Sequence, residues 1–394
     1  MIRATRTQWI KFAVVLALYL IFLVWLRSWL GLVVVPFIFD AYITKKIPWT
    51  WWRESKNRHV VTVMGWVDAI VFALVAVYFV NLYFFQNYVI PSSSLEKSLL
   101  TGDYLFVSKM SYGPRVPQTP LHMPLAQHTL PFFNCKSYLE HPQWDYKRVK
   151  GLGDVQLNDI VVFNFPAGDT VATGVPNDDI YRLSYGAGKE LAKPVDLASM
   201  TPEQQRVVYD YYYQLGREYL KENPQNFGEI ISRPVDRREN YVKRCVGLPG
   251  QTLEIKDRII YLDGKANKEP DNVQYRYLVK TKRPIPDDLA HELGISKEDM
   301  MMYYTDASVY NMPLTEKAKA GLLARKDIVV SIENTPADDA GGLYPLNMYK
   351  NWTTDNYGPV WIPKKGETVK LTIENLPVYE RPIHVYEGNE LAVK

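Results

Sequence analysis

Apolar side chains crowd the first 90 positions of the chain in three runs, about Phe12 to Leu26, about Trp29 to Phe39 and about Val60 to Phe85. The third is unbroken by any strongly polar side chain from Ala69 to Val80. It exceeds the roughly 20 residues that a helix needs to cross a bilayer core. This pattern predicts a transmembrane helix over 60–86. Only Arg27 and Ser28 separate the two shorter runs, so residues 1–43 read as a tight membrane hairpin or as one bent insertion. A cleavable leader is the competing reading, because Arg3, Arg6 and Lys11 come before the first run. No small-residue cleavage pattern follows it, and Trp25, Leu26 and Arg27 do not supply one. Lys45, Lys46, Arg53, Lys56 and Arg58 precede the third run, and no basic residue follows it until Lys97. Basic loops stay on the cytoplasmic side, so 44–59 is expected inside and 87–394 outside. Asp68, within the third run near its cytoplasmic end, is expected to reach water or a cation such as Lys11.

Beyond residue 87 short β-type runs alternate with Pro and Gly. Ile160 to Phe163 is a β-branched run. Thr252 to Lys265 alternates apolar and polar residues, breaks at Lys256 to Arg258 and closes its second arm at Asp263-Gly264, which predicts a hairpin. Thr201, Pro202 and Gln204 have the form of a helix N-cap, first-turn proline and capping-box partner, and that helix should end before Pro224. Thr315 to Arg325 is a second helical stretch. These signals predict N-terminal transmembrane helices followed by a mainly β, antiparallel domain with helix-containing insertions at about 166–236 and 268–380.

The chain's 394 residues suffice for an anchor and a domain with its own core. A net charge of +3 without a long basic block gives no sign of a nucleic-acid partner. The 28 tyrosines and 10 tryptophans suit membrane interfaces and β cores equally. Cys135 and Cys245 cannot build a disulfide framework.

Common catalytic signatures are missing: there is no G-x-S-x-G elbow, no H-E-x-x-H and no complete phosphate loop around Gly186, Gly188 and Lys189. The six histidines stand singly, without metal-ligand spacing, so a serine enzyme built from this chain needs another base. Ile90 to Asp103, IPSSSLEKSLLTGD, starts where the third run ends. On its own it reads first as a polar turn starting a short helix, with Ser93 and Glu96 forming a capping box. In Asn240 to Gly250, NYVKRCVGLPG, period-two alternation puts Tyr241, Lys243 and Cys245 on one face and Val242, Arg244 and Val246 on the other. Lys243 is then either an edge-strand lysine that discourages aggregation or a base whose pKa falls from roughly 10.4 through loss of water or a nearby positive charge such as Arg244.

Taken in order, the third run, IPSSSLEKSLLTGDYLFVSKMSYG, NDIVVFNFPAGD and NYVKRCVGLPGQTLEI resemble successive boxes of bacterial signal peptidase I, the membrane-bound Ser/Lys leader peptidases. The resemblance covers 87–113, 158–169 and 240–265. It implies Ser94 as nucleophile and Lys243 as general base, with the Ser94 backbone N–H and the Ser92 hydroxyl forming the oxyanion hole. Small apolar pockets that select short side chains before the cleavage site fall on Ile90, Leu95, Leu99 and Val242. No metal or organic cofactor is implied. The implied partners are exported precursor proteins with signal peptides, and membrane lipid. The implied location is the bacterial inner membrane, with the catalytic domain on the periplasmic or extracytoplasmic side.

Several positions depart from the family pattern. Leu95, Lys97 and Ser98 stand where methionine, proline and threonine are usual. The last box, a Gly-Asp-Asn-Arg run whose serine orients the lysine, has no counterpart; Asp355, Asn356 and Gly358 read as a turn. The chain stops in mid-alternation at GNELAVK, with Leu391 and Val393 like the first arm of a hairpin, so the natural protein is expected to continue past Lys394. The missing box keeps a second class open, a non-catalytic membrane-anchored binding or assembly protein with a peptidase-like fold. A Ser/Lys self-cleaving protein is a third reading.

Overall fold

A computed structural model describes residues 4–130, 132–133, 135–301, 304–306, 308–337, 343–346 and 352–392. They divide into two compact units, one of residues 1–88 and 104–154, the other of 89–103 and 155–394.

In the first unit a helix spans Arg6–Leu26, opened by a capping box between Thr5 and Gln8. Arg27 turns the chain in the left-handed conformation (φ 51°), and helical segments from Leu30 to Thr44 run back along the first helix. Phe39 meets Phe12 with ring centroids 5.4 Å apart, and Tyr19 Oη donates to Gly31 O at 2.7 Å. A Cβ at Gly31 would lie 2.2 Å from a Leu23 methyl carbon, so a larger residue there requires the Leu23 side chain to shift. The two short apolar runs therefore form a hairpin. Its end is fixed by Asp40, whose carboxylate accepts the Lys46 and Ile47 N–H groups at 2.9 and 3.1 Å.

A second long helix, Arg58–Tyr83, starts at the Asn57 cap, whose side chain accepts the His59 N–H. Arg6–Leu26 and Arg58–Tyr83 are both long and apolar enough to cross a membrane. Asp68 faces Arg53 at 3.7 Å, so its cation comes from the preceding loop rather than from Lys11. After the helix come β1 (Phe85–Val89) and β2 (Tyr104–Ser108), neighbours in a two-stranded sheet.

The second unit is built on antiparallel pairs. β3 (Ile160–Asn164) and β4 (Thr170–Ala172) are followed by helices Ile180–Leu191 and Pro202–Glu222, then by β5 (Ile230–Ser232) and β6 (Asn240–Arg244). β3 pairs with β6 and β4 with β5, so the two helices form an excursion from one antiparallel ribbon. Its small core is Ala172, Ile180 and Leu220. The Thr201 capping box and the end of the helix before Pro224 are as the sequence predicts.

Next come β7 (Thr252–Lys256), β8 (Ile259–Leu262) and β9 (Lys265–Ala266). Asp257 and Arg258 both have positive φ (48° and 72°), the geometry of a tight hairpin turn that matches strand twist.

The stretch from 268 onward holds the helices Asp287–Glu292, Lys297–Met301 and Glu316–Ala324 and a sheet beside them. The sheet consists of β10 (Gln274–Thr281), β11 (Tyr304–Asp306), β12 (Val309–Thr315) and β13 (Val329–Asn334), ordered β11-β12-β10-β13. The helix Glu316–Ala324, capped by Thr315, packs Leu322 with Val279, Met312 and Ile328 into a core of its own. Alternating buried positions along β12 make a sheet the lower-energy use of this segment. β14 (Tyr357–Trp361) also falls within the expected insertion, yet it pairs with β7 and completes the order β14-β7-β8-β9. The Asp355 turn before it holds the β7–β8 turn: its carboxylate accepts from Arg258 Nε at 3.0 Å. Leu391 lies in no strand, and Val393 and Lys394 lie outside the described residues.

Candidate active site

The serine segment is a closed loop. Ile90, 2% exposed, donates its N–H to Asp103 O at 3.0 Å and accepts from Gly102 N–H at 2.9 Å. Residues 91–101 are thereby held between two backbone bonds. Within the loop Ser93–Leu95 forms one 3-10 turn with no side-chain cap. The Ser93–Glu96 capping box therefore does not form; the Glu96 N–H goes to Ser93 O instead. Leu95 is buried, and its carbonyl accepts the N–H groups of Ser98 and Leu99. That buried side chain fixes the turn and leaves the neighbouring Ser94 exposed.

Lys243 comes from β6, with Val161 of β3 opposite it. Its Nζ donates to Ser94 Oγ at 2.7 Å. Partial removal from water holds the pKa of its ammonium below the ordinary lysine range, and desolvation is the cause rather than the charge of Arg244. With the amine protonated, Nζ is the donor; once it is neutral, the same contact can carry the Ser94 proton the other way. Ser92 Oγ stands 3.5 Å from Ser94 Oγ.

Arg244 departs from the expected alternation. It lines the same cavity as Lys243, and its guanidinium donates to Ser98 Oγ at 2.8 Å and to Asn158 O at 3.1 Å. β6 ends at this residue, which frees its side chain from the strict two-residue period. Arg244 thus ties the serine loop to the start of β3, and Asn272 adds a bond from its Nδ2 to Lys97 O at 3.0 Å. The period-two alternation turns Arg244 away from Lys243, so the sequence carried no signal for the first of these contacts. Asn272 had none either, because it lies in a stretch without a readable pattern.

Ser94, Leu95 and Lys243 meet at a cavity of about 510 Å³. Ser92, Ile90, Leu99 and Val242 are not among its lining residues. Ile90 is buried beneath the loop, while Leu99 and Val242 are half-buried. Cys245 follows the strand, and both it and Cys135 are free thiols.

A family model described as signal peptidase, peptidase S26, matches residues 63–292. Signal peptidase I P of Bacillus subtilis subsp. natto is 20% identical over 279 residues, which cover 70% of this chain and 90% of that protein. Signal peptidase I of Helicobacter pylori is 42% identical over 56 residues, 14% of this chain and 18% of that protein. Signal peptidase I of Rickettsia prowazekii is 24% identical over 165 residues, 38% of this chain and 56% of that protein. The chain thus spans less than a fifth of the Helicobacter relative and little over half of the Rickettsia one. No solved structure matches. With the model spanning more than half of its length, the chain belongs to the S26 family of signal peptidases.

Proposed function

We propose that this chain removes signal peptides from exported precursor proteins, with Ser94 as nucleophile and Lys243 as general base. The observation that carries the reading is the 2.7 Å contact between Lys243 Nζ and Ser94 Oγ, beside an open cavity. In this reading Ser94 Oγ attacks the scissile carbonyl carbon while neutral Lys243 takes its proton. The Ser94 N–H and the Ser92 hydroxyl stabilise the resulting oxyanion. Lys243 then returns the proton to the leaving amine, and water, deprotonated by the same lysine, releases the acyl group. Ile90, Leu95, Leu99 and Val242 supply apolar surface for short side chains before the cleavage site. No metal or organic cofactor has a role in these steps.

The helices Arg6–Leu26 and Arg58–Tyr83 anchor the chain in the bacterial cytoplasmic membrane, with 44–59 inside and the residues from 87 outside. Ser94 follows the second helix by about a dozen residues of chain. A precursor held in the same bilayer by its own apolar segment meets the enzyme in two dimensions, so effective concentration replaces part of the binding energy. A non-catalytic binding protein of this fold gains nothing from a lysine amine set against a serine hydroxyl. The test is replacement of Ser94 or Lys243 by alanine in the full chain. Uncleaved precursor should accumulate with either variant, and normal processing by Ser94→Ala defeats the assignment.

A further inference from the structure

The cavity beside Ser94 extends to residues of the sheet that follows β9. Asn267, Glu269, Tyr275 and Asp299 join Ser94 and Lys243 in its lining. Three lining residues each carry a buried polar atom without a hydrogen-bond partner: Asn158 Oδ1, Asn267 Nδ2 and Asp299 Oδ2. Such atoms are costly to leave unmet.

Asp299 is the sharpest of the three. It is 7% exposed, its N–H is occupied by Ser296 Oγ at 3.0 Å, and no cation among the described residues pairs with its carboxylate. The cations that share the lining are engaged elsewhere. Arg244 is bound to Ser98 and Asn158 O, Lys243 to Ser94, and Arg276 has partners of its own. The other acids are also occupied: Glu269 accepts from Tyr275 Oη and Glu96 faces Lys97 at 3.9 Å.

Of the four apolar residues assigned to positions before the cleavage site, only Leu95 reaches this cavity. With the other three outside the lining, the cavity has room for the segment after the cleavage site. We propose that it takes a lysine or arginine side chain from that segment of the precursor, with Asp299 as the counter-charge. Asn158 Oδ1 accepts a further N–H of the same cation, and Asn267 Nδ2 donates to a carbonyl of the substrate backbone. Asp299 is then a specificity-determining residue, and the inference rests on the cleavage reading above.

The experiment uses the full chain in detergent micelles and precursors identical except for Lys, Arg, Gln or Glu at successive positions after the cleavage site. At one position Lys and Arg should exceed Gln in kcat/KM by about tenfold, the size expected of a hydrogen bond to a buried charge, and Glu should fall below Gln. Asp299→Asn should collapse the ratio of Lys to Gln to near one. Equal rates at every position in the wild-type chain, or a ratio that survives Asp299→Asn, overturns the proposal while the cleavage reading stands. Failure of the wild-type chain to cleave any precursor removes the cleavage reading and this inference with it.

Discussion

Lys243 Nζ and Ser94 Oγ lie 2.7 Å apart although 149 positions separate the two residues in the chain. One comes from a strand paired in register with β3, the other from a loop clamped at Ile90. Local bonds shape each segment, but nothing local brings the two together, so the contact is a product of the fold. The lysine's pKa is lowered by desolvation alone. Between its folded value and the ordinary value of roughly 10.4, the folded chain has lost a proton that the unfolded chain keeps.

The rate of cleavage should therefore rise with pH through the Lys243 value, with a midpoint below that of an ordinary lysine. Stability should also rise with pH across the window between the two values, because there the unfolded state binds more protons. A pH profile of kcat/KM for the wild-type chain checks the first statement. A profile flat through the alkaline range contradicts a lysine base.

Ser92→Ala should lower kcat by about 10² to 10³ with little change in KM, because its hydroxyl is assigned to charge that develops only after attack. Ser92→Thr keeps the hydroxyl and should retain most of the rate. A rise in KM with kcat intact would instead make Ser92 a substrate-binding group.

Arg244 joins Ser98 Oγ and Asn158 O through one guanidinium. Lysine cannot span both acceptors in that fork geometry. Arg244→Lys should lower kcat by about tenfold, the loss of one charged hydrogen bond, by loosening the loop that carries Ser94. Ser98→Ala combined with Arg244→Lys should cost less than the two losses added, since both remove the same bond. Additive losses would mean that the contact does not position the loop.

The sequence was most readable where one physical signal acted locally. The Thr201 capping box, the Asp257-Arg258 turn and the β3 and β6 strands stand where composition and period put them. Ser94 and Lys243 were legible only as a pair in order, since each alone reads as an ordinary turn serine or strand lysine. The pairing of β14 with β7 was hidden because it joins positions about 100 residues apart, with the turn residue Asp355 giving no sign of its partner Arg258. Asp299 and Asn272 were hidden for the same reason. Their meaning comes from the cavity and loop they reach, not from their neighbours in the chain.

The excursion between β4 and β5 makes a prediction in which one helix gives opposite signs two positions apart. In the helix Ile180–Leu191, a Cβ at Gly188 would lie 1.7 Å from Tyr212 O, and a Cβ at Gly216 of the facing helix 1.7 Å from Ser184 O. Both obstacles are backbone, so the helices must part, which draws Ile180 and Leu220, each 0% exposed, from their core. Gly188→Ala should destabilise this region by about 1–3 kcal/mol or more, the usual cost of overpacking. Gly186 has nothing within 4 Å of its would-be Cβ. Gly186→Ala should therefore stabilise the helix by up to ~1 kcal/mol, the difference in helix propensity. Thermal unfolding of the two variants beside the wild-type chain reads both signs. Stabilisation by Gly188→Ala would show that the two helices do not pack at the distance that makes glycine necessary there.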